Sequence, residues 1–427
     1  MSIESNNYVW TGSARRSWSE RLGDASARFD PLLPDLLERR VAFLVDGPAT
    51  ALESLIYALH WDLDFAVLES ARLSEAMERR LDDLGFARAD ANTGTLSGRG
   101  SAEGRQPGRV SVMTSGTTGL LKPIAHTWQT LNTLERVRNA RDRFWFVPYQ
   151  PGSYAWYQMM CLSLFRPGQD LYCAGPADPV QSFSDALEAG VNAVTSTPTF
   201  WRCAFMAIDP DVLRSTPIET VTLGGEIVDQ AILDRLAATY PKATIRHIYA
   251  SSEAGAAIVV TDGKAGFPVS RLEQEGIRVK IKDGRLFVRS SYTTAAAVGE
   301  AGQWVDTGDL VEVRGDRVYF LGRAGASMIN VGGAKAFPVE IEAQLMRHPN
   351  VLWAQVYGRR APLVGSLPAA SVVLKAPAGD TAECENELAA FAREHLPEHA
   401  VPRAWRFLSQ IPMQSSLKAG GWVDEDA

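Results

Sequence analysis

Cysteine is scarce in this chain. The four residues, Cys161, Cys173, Cys203 and Cys384, are widely scattered among 427 positions. They show neither a metal-ligand spacing nor a disulfide framework, so a reducing cytoplasm is the expected setting. Histidine is equally sparse and dispersed, with six residues, which argues against a His/Cys metal cage. A basic surplus is also missing. Lys and Arg number 43 against 50 Asp and Glu, a net charge of -7, and a general nucleic-acid binder needs the opposite sign. There is no apolar run long enough to span a bilayer. Residues 1–19 are polar, carry Trp10 and Trp18, and lack the apolar core of a signal peptide.

What is present is ordinary globular composition, 46% apolar and 22% charged. The length suffices for two or more domains and a large core. Residues 41–45 read as a buried strand, 49–60 as a helix, 65–68 as a strand and 73–84 as a charged amphipathic helix. Such alternation predicts a parallel sheet covered by helices. Residues 90–109, rich in Gly, Ser and Ala, read as a loop or linker. The alternation resumes with strands at 191–195, 220–223 and 244–249 and helices at 200–206 and 231–240. Gly224-Gly225-Glu226 and Ala250-Ser251-Ser252-Glu253 then fall at the carboxyl ends of two strands, the edge where open α/β sheets bind ligands. From 276 to 320 short strands separated by Asp-Gly and Gly-Asp turns predict a small antiparallel sheet or barrel. Beyond Gly322, helices at 338–346 and 382–395 and strands at 351–357 and 369–374 predict a compact α+β unit.

The run Thr114-Ser115-Gly116-Thr117-Thr118-Gly119-Leu120-Leu121-Lys122 carries the clearest chemistry. It follows the apolar segment 110–113 and precedes an amphipathic stretch, 127–137, so it reads as strand, loop, helix. Glycines let backbone amides turn toward an anion, hydroxyls add donors, and lysine supplies a point charge. The loop suits a polyphosphate such as that of ATP. It is not a Walker loop, since Pro123 follows Lys122 and no glycine directly precedes it.

Five further motifs occur in order: Leu223-Gly224-Gly225-Glu226; Tyr249 through Glu253; Gln303 through Asp309; Gly322-Arg323 through Lys335 to Glu342; and Pro412 through Lys418. Taken with the phosphate-type loop, they resemble the adenylate-forming superfamily of acyl-CoA synthetases, nonribosomal adenylation domains and luciferases. The match runs from about 110 to 418 and is closest in style to stand-alone acyl- or aryl-CoA ligases.

The resemblance implies an α/β fold. A large domain (1–322) of helix-covered sheets plus a small antiparallel β-subdomain is followed by a small mobile α+β lid (323–427) carrying Lys418. It implies that a small-molecule carboxylic acid attacks the α-phosphate of ATP, with Mg²⁺, and that a thiol of coenzyme A or of a carrier-protein phosphopantetheine takes the acyl group. By the same resemblance Thr114, Ser115, Gly116, Thr117, Thr118, Gly119 and Lys122 surround the β- and γ-phosphates. Glu253 holds Mg²⁺, with Ser252 beside it. Tyr249 stacks on adenine, with Gly225 and Glu226 lining its pocket. Asp309 accepts the ribose hydroxyls, Arg323 reaches the ribose or α-phosphate, and Lys418 reaches the carboxylate and α-phosphate. Gly224 and Gly333 are expected near the substrates. For Tyr154, Trp156 and Phe200 two readings stand, the lining of an acyl or aryl site or core packing.

The chain departs from the pattern at several points. Leu120-Leu121 stand where proline is usual, Ala250 replaces glycine, and Gln414 and Leu417 replace threonine and glycine of the last motif. A leucine beside Lys418 is expected to alter the turn that aims it. The hinge reads Ala324-Gly325-Ala326-Ser327, without the usual acid. No histidine occurs in 144–157, and the part before the phosphate loop is short. Two other outcomes therefore stay open: a degenerate nucleotide- and acyl-binding or adenylation-only protein, and an amide- or ester-forming ligase using the same adenylate. A trimmed ligase of this kind suits secondary metabolism.

Overall fold

Residue patterning sorts the described residues into four sheets. The computed structural model describes residues 6–115, 121–133, 141–175, 178–251, 255–274, 277–290, 292, 304–324, 328–361, 365–375 and 381–420. Arg40–Val45, with five consecutive buried residues, is the centre of a six-stranded sheet. It pairs in parallel with Asp64–Glu69 and Phe86–Asp90 through the helices Pro48–His60 and Glu75–Asp83. Pro48–His60 is buried from Ala51 to Leu59, as a helix enclosed between layers must be.

Two expectations are corrected in this sheet. The loop after Val110–Ser115 leads first into another strand, Leu121–His126, antiparallel to it with Thr114 opposite Lys122. Pro123 biases Lys122 toward extended backbone; Ile124 and His126, which share its face of the strand, are buried, whereas Lys122 near the start of the strand is exposed. The helix begins only at Trp128, capped by Thr127, and is described as Trp128–Leu131. Within the expected 90–109 loop, Thr95–Ser97 forms an edge strand on Phe86–Asp90. Arg109 is tied there to the buried Asp64.

The second sheet has eight strands. Its order is Gly255–Val260, Thr244–Ser251, Thr220–Gly224, Ala193–Ser196, Arg143–Val147, Gln169–Cys173, Tyr8–Thr11, Ala14–Ser17. The six strands between the two edges pair in parallel. The N-terminal segment joins the sheet by pairing Tyr8–Thr11 with Gln169–Cys173, and Asn7 Nδ2 ties it to the covering helix by donating to Ser163 O at 2.7 Å. Helix Tyr154–Phe165 is buried at nearly every position and seals one face. Trp156 and Phe200 are core residues. Trp156 is 1% exposed against Tyr157, and Phe200 packs among Phe146, Phe183 and Trp201.

A six-stranded antiparallel sheet comes next, from Phe267–Pro268 to Val305–Arg314 and Arg317–Arg323, as the turn-punctuated texture predicts. The last sheet contains Ile329–Val331, Ala334–Ala336, Val351–Ala361, Gly365–Leu374 and Ala404–Leu408. Helices Pro338–Leu345 and Thr381–His395 bury Ile341, Leu345, Leu388 and Ala392 against it. No helix among the described residues is long and apolar enough to cross a membrane.

Candidate active site

The carboxyl ends of Ala193–Ser196, Thr220–Gly224 and Thr244–Ser251 open onto one cleft of about 1480 Å³. Thr114, Tyr154, Gly224, Gly225, Glu226, Tyr249, Asp309, Arg323 and Lys418 all line it. Residues more than three hundred positions apart in the sequence thus line one cleft.

Thr197 follows Ser196 and caps helix Pro198–Ala207. Its Oγ1 accepts from Phe200 N at 3.1 Å and donates to the main-chain oxygen of Leu417. Glu226 holds the same element from the other side. Its carboxylate accepts from Thr199 N (3.0 Å), Thr199 Oγ1 (2.9 Å) and Ala419 N (3.0 Å). These bonds occupy Glu226 in docking the C-terminal loop, a role its motif alone did not suggest. Lys418 lies between the two anchors. A Cβ placed on Gly225 would stand 3.5 Å from Lys418 Cε, so a side chain there would crowd the lysine stem.

Leu417 takes the left-handed backbone that glycine favours, at φ +63°. The turn beside Lys418 is therefore kept despite the missing glycine, contrary to the sequence expectation. The cost of a leucine in that conformation is about 1–2 kcal/mol. Burial of its side chain, 2% exposed in the cluster around Val194, Trp201 and Val228, is worth a similar or larger amount.

On the opposite wall Tyr249 stacks on Phe320, with ring centroids 4.8 Å apart and an interplanar angle of 26°. Its hydroxyl donates to Asp309. Arg323 Nε donates to Asp309 Oδ1 at 3.2 Å, and its Nη2 donates to Thr307 O at 3.0 Å. Burial, then the adjacent Asp309 carboxylate, push the Tyr249 phenol up, so it stays a neutral donor. The three residues expected around adenosine are thus bonded to one another.

Along the cleft sits a polar group that the sequence motifs did not reveal. Arg202 and Asp229 form an ion pair, 7% and 10% exposed. Glu342, from helix Pro338–Leu345, accepts from Val356 N at 2.7 Å. Burial pushes its carboxyl up to about 7, with Asp229 and Glu226 adding to the rise against the pull of Arg202. The only hint in the sequence was an acid in the Pro338–Glu342 motif, a common helix-start pattern.

Other expected residues are placed elsewhere. Lys122 is exposed beside Thr114, whose Oγ1 donates to Lys122 O at 3.2 Å, and it does not line the cleft. Gly333 is at the exposed tip of a hairpin, its amide bonded to Asn330 Oδ1 at 3.0 Å. Gly116, Thr117, Thr118, Gly119, Ser252 and Glu253 lie outside the described residues, as does the Ser115 side chain. No group of three or more His, Cys, Asp or Glu able to hold a metal occurs among the described residues.

Comparison with known proteins adds family and fold. Residues 89–289 match the model of the AMP-binding enzymes, and residues 340–418 match that of the AMP-binding enzyme C-terminal domain. A 2-succinylbenzoate–CoA ligase of Bacillus licheniformis is 33% identical over 115 residues, 27% of this chain and 23% of that enzyme. The chain thus spans about a quarter of the length of this curated relative. Two solved structures share the fold over 97% of the chain. The anthranilate CoA ligase AuaEII with anthranoyl-AMP has a TM-score of 0.74 at 17% identity, over 92% of its length. ATP-bound MatB from Rhodopseudomonas palustris has 0.75 at 17%, over 94%.

Proposed function

The chain belongs to the AMP-binding, adenylate-forming enzymes, and on that premise we propose that it activates a carboxylic acid with ATP and passes the acyl group to a thiol. In the first step a carboxylate oxygen attacks the α-phosphorus, the bond to the bridging β-phosphate oxygen breaks, and pyrophosphate leaves. In the second the thiol sulfur attacks the acyl carbon, AMP leaves, and the thiol proton is released to solvent. The observation that carries this reading is the docking of Leu417, Lys418 and Ala419 on Thr197 and Glu226, which holds the Lys418 ammonium at the edge of the cleft.

Each residue then has a physical task. Lys418 neutralises charge developing between carboxylate and α-phosphate, and its fixed position avoids reorganisation during the step. Asp309 exchanges the Tyr249 hydroxyl for ribose hydroxyls, and Tyr249 offers its free ring face to adenine. Thr114 opens the phosphate loop. A single carboxylate, Glu253, suits Mg²⁺, which binds through one or two carboxylates and the substrate phosphates; bound there, the ion would offset phosphate charge. Division of the chain at residues 322 and 323, a cytoplasmic location, and coenzyme A or carrier-bound phosphopantetheine as acceptor belong to the same reading.

Oxygen transfer tests the reading. With an acid labelled by ¹⁸O in its carboxyl group, adenylation and then thiol transfer move one label into AMP. Unlabelled AMP, or ADP as product, would contradict it.

A further inference from the structure

The cleft continues inward along one face of the eight-stranded sheet. Gly224, Thr222 and Thr220 alternate along one strand, and Ile248 and Arg246 along the next. Thr195, Trp145 and Arg143 sit on the strands beyond, and all line the same cavity. Strand register sets Ile248 beside Gly224 at the active-site end and Arg246 beside Thr222 one step deeper. The middle of the passage is walled by Trp145, Tyr149, Met159 and Leu162.

The inner end carries an unbalanced positive charge. Arg143 is partly satisfied: its Nε donates to Thr220 Oγ1 at 3.2 Å and its Nη1 pairs with Glu219 at 3.0 Å. Arg246 is not. Among the described residues it has no carboxylate and no hydrogen-bond partner, and its Nε is buried and unpaired. Burial and the facing Arg143 guanidinium both disfavour its charge. A half-buried guanidinium without an acceptor, beside a second one, is an expensive arrangement for structure alone. Its planar fork matches a carboxylate.

We propose that the activated acid carries a second anionic group, a carboxylate, and that Arg246, supported by Arg143, binds it at the inner end of the passage. This rests on the adenylation reading and names the substrate class of that site. Two to three strand residues at about 3.3 Å each separate the Gly224–Ile248 row from the guanidinium groups. The two carboxylates of a fitting diacid are thus roughly 7–10 Å apart, with an apolar chain or ring between them. Arg246 is a specificity-determining residue here and takes no part in the bond changes.

Matched acids test this. The pairs heptanoate and heptanedioate, and 3-phenylpropanoate and 3-(4-carboxyphenyl)propanoate, are compared by acid-dependent ATP–pyrophosphate exchange. The enzymes are the wild type, Arg246→Gln and Arg246→Lys. The diacid-to-monoacid ratio of kcat/KM is expected to be about 10- to 100-fold in the wild type, the range for a charge-assisted hydrogen bond. It falls toward unity in Arg246→Gln through KM and is partly restored in Arg246→Lys. A wild-type preference for the monoacids, or an unchanged ratio in Arg246→Gln, overturns the proposal. If no acid supports exchange, the adenylation reading fails, and calorimetry of the same diacids decides the anion site by itself. Binding weakened in Arg246→Gln sustains it, and equal or absent binding in both proteins refutes it.

Discussion

The Thr197 hydroxyl donates to the main-chain oxygen of Leu417, joining positions 220 residues apart. With Ala419 N on Glu226, it fixes both sides of Lys418. The lysine's position is therefore set by backbone anchoring, and its own side chain remains exposed.

Leu417 is expected to act as the anchor of this loop. Leu417→Ala removes buried side chain while keeping the left-handed backbone, and weakens docking by about 2–4 kcal/mol. Leu417→Gly loses the same packing but relieves the conformation, and weakens docking by about 1 kcal/mol less. Hydrogen exchange at the Leu417 and Ala419 amides measures both. Unchanged protection in Leu417→Ala would show that the side chain does not hold the loop.

Asp229→Ala leaves Arg202 buried without its carboxylate and removes the cap on Ile232 N (3.2 Å). The expected loss in urea unfolding is about 3–5 kcal/mol. The double variant Asp229→Leu with Arg202→Met is expected to lose less, because no charge is stranded. Equal losses would mean that the pair contributes through packing alone.

Glu342 gives the stability of the fold a pH dependence. Its folded-state value of about 7 lies above the ordinary 4.5, so the folded protein holds the proton more tightly than the unfolded one. This contribution is present below about 4.5, is lost as pH rises toward 7, and is flat beyond. Glu342→Gln is expected to flatten the stability profile across that window. A profile with the wild-type slope would assign the dependence to other groups.

Much of this was legible in the sequence because period and composition change with each element. The solid apolar run at 41–45 marks a buried strand, and Gly224-Gly225 marks where another strand meets the cleft. The strand at 121–126 was hidden by the hydroxyl- and glycine-rich run before it, whose composition signals a loop without specifying the element that the loop enters. Helix Tyr154–Phe165 is apolar all round, so no periodicity could separate Tyr154, on the cleft, from Trp156, in the core. Leu417 broke a local rule that a distant apolar cluster offsets, and Arg246 gained meaning only when its strand neighbours proved to offer no carboxylate. Both depend on contacts between segments remote in sequence.

In the proposed reaction the anchored Lys418 promotes attack of a carboxylate on the α-phosphate of ATP. Carboxylate-dependent ATP–pyrophosphate exchange, wild type against Lys418→Ala, tests it most directly. Exchange is expected with the wild type, with a loss of about 10²-fold or more in the variant while ATP still binds. Exchange undiminished in Lys418→Ala would contradict it.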